Sequence, residues 1–126
     1  MEEGYDIIRP SRYVSDKDKP AIISGAKMLV YPSHYEGFGM PPLEALACGV
    51  PVIAANNSSL PEVVGKAATT LVCDDVDSIT RSMQRYLDNI EAVTKKSIVE
   101  GPERAENFSW QHSAQVFLNA AAGENS

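Results

Sequence analysis

Two glutamates flank the stretch of this sequence whose residue types and spacing best suit binding chemistry. Glu36 and Glu44 lie eight positions apart, and Gly37 and Gly39 stand between them. Glycine permits backbone angles and close approaches that side chains forbid, so a ligand can reach the main chain there. Carboxylates accept hydrogen bonds, and the hydroxyl groups of a sugar are donors. Because sugars and phosphates occur together in sugar nucleotides, the pattern is typical of a binding loop for such a ligand.

A strand and the start of a helix are expected to hold this stretch in place. Residues 28–31 form a short apolar run typical of a strand buried on both faces, and a proline ends it. Pro41 or Pro42 suits the first turn of a helix, whose unpaired amides and positive dipole end attract phosphate. From these residues alone an alternative is equally open, in which Glu44 merely complements the helix dipole and Glu36 is a solvated turn residue.

Apolar runs and helical patterns alternate along the chain, which predicts an α/β fold with a parallel sheet. The predicted strands occupy residues 5–9, 28–31, 51–55 and 69–73. The predicted helices include one that follows residues 15–18 and ends at residues 25–27, then residues 42–47, 59–65, 76–90, 91–107 with a break at 101–102, and a last helix from residue 109.

Caps and turns set further expectations. Residues 59–62 read as a capping box, in which the Ser59 hydroxyl would cap the helix. Asp74 or Asp75 is expected to cap the following helix, and Gly49 suits a left-handed helix end. The loop at residues 56–59 is rich in donors, and we explain it by turn chemistry in preference to ligand contact.

Two helices carry apolar stripes that we expect to be buried in the core. The stripes consist of Val76, Ile79, Met83, Tyr86, Leu87 and Ile90, and of Trp110, Ala114, Phe117, Leu118 and Ala121. For the last helix, an interface with another domain is the alternative.

Composition indicates one domain, placed at residues 7–122 with flexible ends at 1–6 and 123–126. The chain has 126 residues, of which 44% are hydrophobic and 22% charged, and a net charge of -6. This charge argues against nucleic acid or anionic lipid as the main partner. No stretch approaches the ~20 apolar residues of a membrane span, the start is unlike a signal peptide, and Cys48 and Cys73 make no disulfide framework. We therefore expect a cytoplasmic protein with reduced thiols.

The sequence resembles the carboxyl-terminal, donor-binding domain of the retaining GT-B glycosyltransferases of the glycosyl transferases group 1 type. The resemblance rests on the E-x7-E motif from Glu36 to Glu44 and extends from about Val14 to about Val116. Its other motifs are Pro32-Ser33, Cys48-Gly49-Val50-Pro51-Val52-Ile53, Ser59-Leu60-Pro61-Glu62-Val63-Val64 and Phe108-Ser109-Trp110. It implies a parallel sheet with flanking helices, as part of a Rossmann-like domain that lacks its first strands.

The resemblance implies roles for the residues of the loop. Glu36 would contact the donor sugar near its reacting carbon, and Glu44 would bind the ribose hydroxyls. The amides that would bind the donor pyrophosphate belong to Gly37, Phe38, Gly39 and Met40. The sugar would pass to an acceptor hydroxyl with retained configuration, through an oxocarbenium-like state that depends on neutralising the departing nucleotide.

A second donor contact implied by the resemblance is a base-recognition loop at residues 12–15. Arg12 stands there where the family usually has glycine. Its guanidinium could stack on a nucleobase or meet a phosphate, and a solvated surface arginine is the favoured alternative. His34 and His112 are taken as bystanders, and we assign no metal ligand and no cofactor.

The resemblance also implies that parts of the enzyme lie outside this sequence. The family supplies a phosphate-binding arginine and lysine from an earlier loop, and an amino-terminal domain that binds the acceptor. We therefore expect no sugar transfer by this chain alone, and either a homo-oligomer or a separate amino-terminal domain or chain as its partner. The acceptor is unknown. The alternative is a non-catalytic interaction or oligomerisation module derived from a glycosyltransferase.

Overall fold

A computed structural model describes residue 4, residues 6–10 and residues 13–123. The strands in these ranges are β1 (Leu29–Tyr31), β2 (Val52–Ala55) and β3 (Thr69–Leu71). The α-helices are α1 (Lys19–Ser24), α2 (Met40–Ala47), α3 (Leu60–Val64), α4 (Val76–Asp88), α5 (Ile90–Glu106) and α6 (Trp110–Ala121). A 3₁₀ turn, Gly65–Ala67, follows α3.

The three strands form one parallel sheet in the order β1-β2-β3. Val30 pairs with Ile53, and Ala54 pairs with Thr70. All four residues of the central strand β2 are buried, because helices cover the sheet and strands lie on either side of it. The predicted α/β fold with a parallel sheet is confirmed, and β1 pairs with β2 alone in the described part of the chain.

The core lies between α2, β2 and α3. Its buried hydrophobic residues are Leu43, Ala45, Leu46, Val50, Val52, Ile53, Ala54, Ala55, Leu60, Val63, Val64 and Leu71. Helix α5 packs along α2 on the outer side of this core. A Cβ atom at Gly101 of α5 would lie 2.5 Å from the carbonyl oxygen of Leu46, so the two helix backbones approach too closely for any larger residue.

Most predicted helix ends agree with the structure. Pro20 lies in the first turn of α1, and Gly49 after α2 has a left-handed φ of 71°. Of the two aspartates considered for α4, Asp75 is the cap: its Oδ1 accepts a hydrogen bond of 2.9 Å from the Ser78 amide. The Ser109 hydroxyl caps α6 by accepting from the His112 amide at 3.1 Å.

Two predictions of secondary structure are wrong, one of a strand and one of a helix break. Residues 6–10 form no strand, so the prediction for residues 5–9 fails over the part that the structure describes. The break predicted at 101–102 is also absent, because α5 continues through Pro102. Proline costs that helix one main-chain hydrogen bond. The close packing of Gly101 on α2 keeps the helix continuous in spite of this cost.

The two apolar stripes are not core. In α4 and α6 no residue is buried. Val76 is 72% exposed, Trp110 is 89% exposed and Phe117 is 73% exposed. Only the inner part of the α4 stripe contacts the sheet, where the Tyr86 hydroxyl donates to the Val52 carbonyl at 3.2 Å. The prediction of burial is therefore wrong for α6 and for the outer part of α4.

A search of the described residues finds no helix that is both long and apolar enough to cross a membrane. Cys48 and Cys73 are free and half-buried.

Candidate ligand-binding site

Three loops meet at the carboxyl edge of the sheet. They are the β1–α2 loop at residues 32–39, the β2–α3 loop at residues 56–59, and the β3–α4 loop at residues 72–75. Because the strands are parallel, all three loops leave the sheet on the same side, which is where open α/β sheets bind ligands. Glu36, Gly37 and Gly39 lie in the first of these loops.

The glycine loop, residues 36–39, ends directly at the amino terminus of α2. Gly39 caps the helix with a φ of 106°, a left-handed angle that glycine adopts without strain. A Cβ atom there would lie 2.7 Å from Leu60 Cδ2, so packing also requires glycine. Gly37 is exposed, and a Cβ atom there would contact nothing within 4 Å. The two glycines therefore differ: Gly39 is needed for packing, and Gly37 keeps the surface of the loop open.

The Glu36 carboxylate is held by two hydroxyl groups. Its Oε1 atom accepts hydrogen bonds from the Tyr31 hydroxyl at 2.7 Å and from the Ser33 hydroxyl at 2.8 Å. The Tyr31 bond, followed by the Ser33 bond, lowers the pKa of Glu36, and slight desolvation opposes this. The same bond raises the pKa of Tyr31, and burial adds to that shift. Among the described residues no partner is found for Oε2, so Glu36 is an ionised acceptor with one oxygen fixed and one open.

Side chains of the β2–α3 loop form hydrogen bonds to the main chain of the β1–α2 loop. The Ser58 hydroxyl accepts a hydrogen bond from the Glu36 amide at 3.1 Å. The Ser59 hydroxyl lies 3.1 Å from the Glu36 carbonyl and 2.7 Å from the Phe38 carbonyl, to which it donates. The Asn57 side-chain amide donates to the Ser33 carbonyl at 3.1 Å.

These contacts correct the predicted capping box at residues 59–62. The Ser59 side chain makes no capping bond to α3, because its hydroxyl proton is committed to carbonyls of the neighbouring loop. Residues 56–59 form a turn in which the Leu60 amide donates to the Asn57 carbonyl at 3.2 Å, and their side chains in addition hold the glycine loop.

Phe38 anchors the loop on the carboxyl-terminal side of α5. Its ring meets the Phe108 ring edge to face, with centroids 5.5 Å apart and an interplanar angle of 82°. The Arg104 guanidinium lies 5.0 Å from the centroid of the Phe108 ring and donates to the carbonyls of Val63 and Glu62. One edge contact of the Phe38 side chain is thus used for packing, although the residue remains 39% exposed.

Glu44 and Met40 lie on α2 and not in the loop. Because α2 begins at Met40, two residues earlier than predicted, Glu44 is in the second turn and no acidic residue lies in the first. The Glu44 carboxylate is half-buried, and the described residues provide no hydrogen-bond or ion-pair partner for it. Met40 is 53% exposed. Arg12, the proposed base contact, falls outside the described residues.

His34 lies beside Cys73 and Asp74 at the third loop. Its Nε2 is 3.3 Å from Asp74 Oδ1, and its Nδ1 is 3.5 Å from Cys73 Sγ. These three residue types could ligate a metal ion, and their ligand atoms lie within 4.8 Å of one another. However, the two contacts use opposite nitrogens of one imidazole, and a single ion binds only one of them. As oriented, this cluster links two loops and is not a preformed three-ligand site.

Residues that sequence reasoning missed lie close to those that it found. Tyr31 and Ser33 precede Glu36 at spacings of five and three, and both carry hydroxyl groups that reach its carboxylate. A hydroxyl residue shortly before a candidate acid is the signal that could have found them. Arg104 gave no such signal, since its contacts span 41 positions of sequence.

Two concavities among the described residues lie away from this loop edge. One, of about 470 Å³, is lined by residues of the α4–α5 junction such as Asn89 and Ile90. Another, of about 300 Å³, lies between Ser24, Cys48 and Ile98. Neither includes a residue of the three loops.

Parallel strands, flanking helices and ligand-type loops at the carboxyl edge define a Rossmann-like α/β domain. Comparison with known proteins makes this more specific. The family model described as Glycosyl transferases group 1 matches residues 8–100. The chain belongs to this family.

Relatives of the chain carry names of the same class. O-antigen chain mannosyltransferase B from Escherichia coli is 42% identical over 118 residues, which are 94% of this chain and 30% of that protein. A glycogen synthase from Mycobacterium tuberculosis is 32% identical over 94% of this chain and 31% of its own length.

A solved structure supports the same fold. Sucrose-phosphate synthase from Thermosynechococcus elongatus superposes with a TM-score of 0.68 and 28% identity, over 81% of this chain and 27% of that one. This confirms a GT-B, Rossmann-like domain fragment. The chain spans about a third of the length of these relatives.

Proposed function

We propose that this chain is the donor-binding part of a retaining glycosyltransferase and that its glycine loop binds a nucleoside-diphospho-sugar. In this role it delivers a sugar to the hydroxyl group of an acceptor. The observation that carries the proposal is the arrangement of Glu36, an ionised carboxylate with one open oxygen, next to the amino terminus of α2. Membership of the glycosyltransferase family supports the same reading.

The loop offers complementary groups for the two halves of a donor. The amides of Gly37, Phe38, Gly39 and Met40 and the positive dipole end of α2 favour the pyrophosphate, whereas Pro41 and Pro42 of the first turn carry no N–H. The open face at Gly37 allows the pyrophosphate to approach the main chain. The open Oε2 of Glu36 would accept a hydroxyl of the donor sugar. Since a carboxylate repels phosphate, Glu36 is suited to the sugar end and the helix terminus to the phosphate end.

Glu44 is assigned to the ribose of the donor. Its carboxylate has no partner among the described residues, although it is half-buried one helical turn beyond the amino terminus of α2. The two oxygens of a carboxylate in such a place can accept from a ligand that supplies two neighbouring hydroxyl donors. Ribose has such a pair of hydroxyl groups.

Isothermal titration of the chain with uridine, guanosine and adenosine diphospho-sugars tests the proposal. Mannosyl donors come first, because the most similar relatives reported above include a mannosyltransferase. We expect saturable binding of at least one donor, and Glu44→Gln should weaken it by about 10–100-fold, the worth of hydrogen bonds to a charged group. Glu91→Gln, which changes an exposed glutamate in the first turn of α5, is the matched control and should bind like the wild type.

Two results would contradict donor binding by this chain. One is an absence of heat and of ligand-observed NMR signal changes with all three nucleotide classes. The other is equal loss of affinity in Glu44→Gln and Glu91→Gln, which would indicate a general charge effect.

A second candidate function is an interaction module, and the apolar face of α6 favours it. Trp110, Phe117 and Leu118 are 89%, 73% and 59% exposed, an arrangement that protein surfaces seldom leave uncovered. A second copy of the chain, or an amino-terminal domain, would cover this face. Light scattering over a range of concentrations tests self-association, and Trp110→Ser should abolish it. A strict monomer at high concentration would exclude the second copy.

A further inference from the structure

We propose that Ser58 and Ser59 are positioning residues that hold Glu36 and the glycine loop in the conformation that binds the donor. The inference deepens the proposed function and rests on it. Neither serine needs to touch the ligand, because both act through the main chain of residues 36–38.

The main chain of Glu36 is held at both of its polar atoms. Its amide donates to the Ser58 hydroxyl at 3.1 Å, and its carbonyl lies 3.1 Å from the Ser59 hydroxyl. Its side chain is held separately by Tyr31 and Ser33. Ser58 and Ser59 of the β2–α3 loop thus hold the backbone of Glu36, whose carboxylate lies in the β1–α2 loop. Loss of either serine would free the backbone while leaving the carboxylate contacts available.

Ser59 restricts the motion of Gly37. A hydroxyl group has one proton, so the bond of 2.7 Å to the Phe38 carbonyl dominates over the longer contact to the Glu36 carbonyl. Both carbonyls are nevertheless kept within reach of one atom. Gly37 lies between them, is exposed and has no neighbour at its Cβ position. Without Ser59, Gly37 would be restrained only through its two neighbours, by the bond of the Glu36 amide to Ser58 and by the packing of the Phe38 ring on Phe108.

The backbone of Ser58 is in an uncommon conformation. Its φ of 47° makes it the non-glycine residue with positive φ in the described part of the chain. Such a conformation is strained for serine and persists where surrounding contacts determine it. Here the hydroxyl accepts from Glu36 and donates to Asn57 Oδ1 at 3.2 Å, and Asn57 in turn donates to Ser33. The strained residue therefore lies in a chain of bonds that runs from the Glu36 amide to the Ser33 carbonyl, both at the amino-terminal end of the glycine loop.

Amide hydrogen exchange measured by NMR on the full chain tests Ser58. Ser58→Ala keeps the Cβ atom and the backbone strain, so it isolates the hydroxyl. We expect the Glu36 amide to exchange about 2–10-fold faster, which is the worth of one hydrogen bond, while amides of β2 keep their rates. Ser113→Ala, an exposed serine of α6, is the matched control. An unchanged rate for the Glu36 amide would overturn the role of Ser58.

Backbone relaxation tests Ser59 in the same way. Ser59→Ala should lower the order parameter of Gly37 from a rigid value of about 0.85 to below about 0.6, and Ser59→Thr should restore it because the hydroxyl returns. If Ser59→Ala leaves Gly37 rigid, Ser59 does not position the loop.

Ligand titration separates positioning from a structural role. Ser58→Ala should weaken the binding of a diphospho-sugar about 3–10-fold and leave the matching nucleoside diphosphate within about twofold, because Glu36 is assigned to the sugar. Ser59→Ala should weaken both ligands. Faster exchange with unchanged affinities would overturn the positioning role. If the wild-type chain binds no donor, the proposed function fails and the role in donor binding fails with it, whereas failure of the serines alone leaves wild-type binding intact.

Discussion

The described chain contains two regions in which apolar residues follow a regular pattern but meet different surroundings. In the first region, α2, β2 and α3 bury Leu46, Ile53 and Leu60 to 1% exposure or less. In the second, α4 and α6 have equally clear apolar stripes and no buried residue. The difference lies in what is available for packing. The elements α2, β2 and α3 pack against one another and bury their apolar residues. Much of the surface of α4 and α6 is exposed on the outside of the described domain.

The candidate site belongs to the self-contained region. Gly39 packs against Leu60, a residue of the buried core, and Phe38 packs against Phe108. The loop therefore rests on elements whose contacts are complete within this chain. The comparison indicates that the geometry at Glu36 is held by contacts within the described residues, whereas these residues leave the outer apolar face of α4 and that of α6 uncovered.

The largest expected effect is a loss of stability, and it comes from replacing leucine by alanine in the buried region and, for comparison, in the exposed one. Leu46→Ala should lower the free energy of unfolding by about 2–5 kcal/mol, because it removes a fully buried side chain and leaves a cavity. Leu118→Ala, in α6 where the side chain is 59% exposed, should change it by about 0.5 kcal/mol or less. Chemical denaturation followed by circular dichroism measures both.

A similar cost for the two leucines would break the comparison. It would mean that α6 is packed in solution, and the cost at Leu118 should then rise with protein concentration if a second copy covers the helix. Independence from concentration would instead place Leu118 in a core within one chain.

Sequence reasoning located helix ends and strands well in both regions because their signals are local. Gly49, Pro20 and Asp75 act on the backbone within a few residues, and the structure has helix ends at each. The apolar run before the glycine loop is strand β1, and the next apolar run is its parallel neighbour. The resemblance to glycosyltransferases is confirmed by the family match.

Contacts distant in sequence could not be predicted. The Ser59 hydroxyl bonds to carbonyls more than 20 positions away, and the local capping pattern at 59–62 pointed to a different partner. Gly101 and Pro102 are residues typical of a helix break, and this break was predicted. The sequence did not show that α2 would lie against Gly101, where α5 continues as a helix. For α6, periodicity predicted an apolar face correctly but could not say whether this chain covers it.

A medium effect is expected where α5 meets the core. Gly101→Ala places a Cβ atom 2.5 Å from the Leu46 carbonyl oxygen, so α5 must shift away from α2. We expect a loss of about 1–3 kcal/mol in the free energy of unfolding. Gly25→Ala is the control, because its Cβ would lie at 3.6 Å from its nearest neighbours, an ordinary contact. A neutral or stabilising Gly101→Ala would show that helix propensity outweighs the close approach and that α5 is not held against the core.

The smallest expected effect is a change in the pKa of Glu36 when its hydrogen bond from Tyr31 is removed. Tyr31→Phe removes the main cause that lowers the pKa of Glu36, so this pKa should rise toward its ordinary value of 4.5. Carbon-13 NMR titration of the Glu36 carboxyl group measures the change. Tyr35→Phe is the matched control, because Tyr35 is 79% exposed and its hydroxyl makes no bond to Glu36, and it should leave the titration unchanged.

The sign of the stability effect follows from the two pKa shifts. A lowered pKa at Glu36 contributes stability above pH 4.5 that is lost as the pH falls through the lowered value. A raised pKa at Tyr31 contributes stability below pH 10.0 that is lost as the pH rises through the raised value. The stability difference between wild type and Tyr31→Phe that comes from this bond should therefore be greatest between these limits and shrink on both sides. A constant difference from acid to alkaline pH would mean that the Tyr31 hydroxyl contributes independently of the ionisation of Glu36 and that the Glu36 carboxylate is held by Ser33.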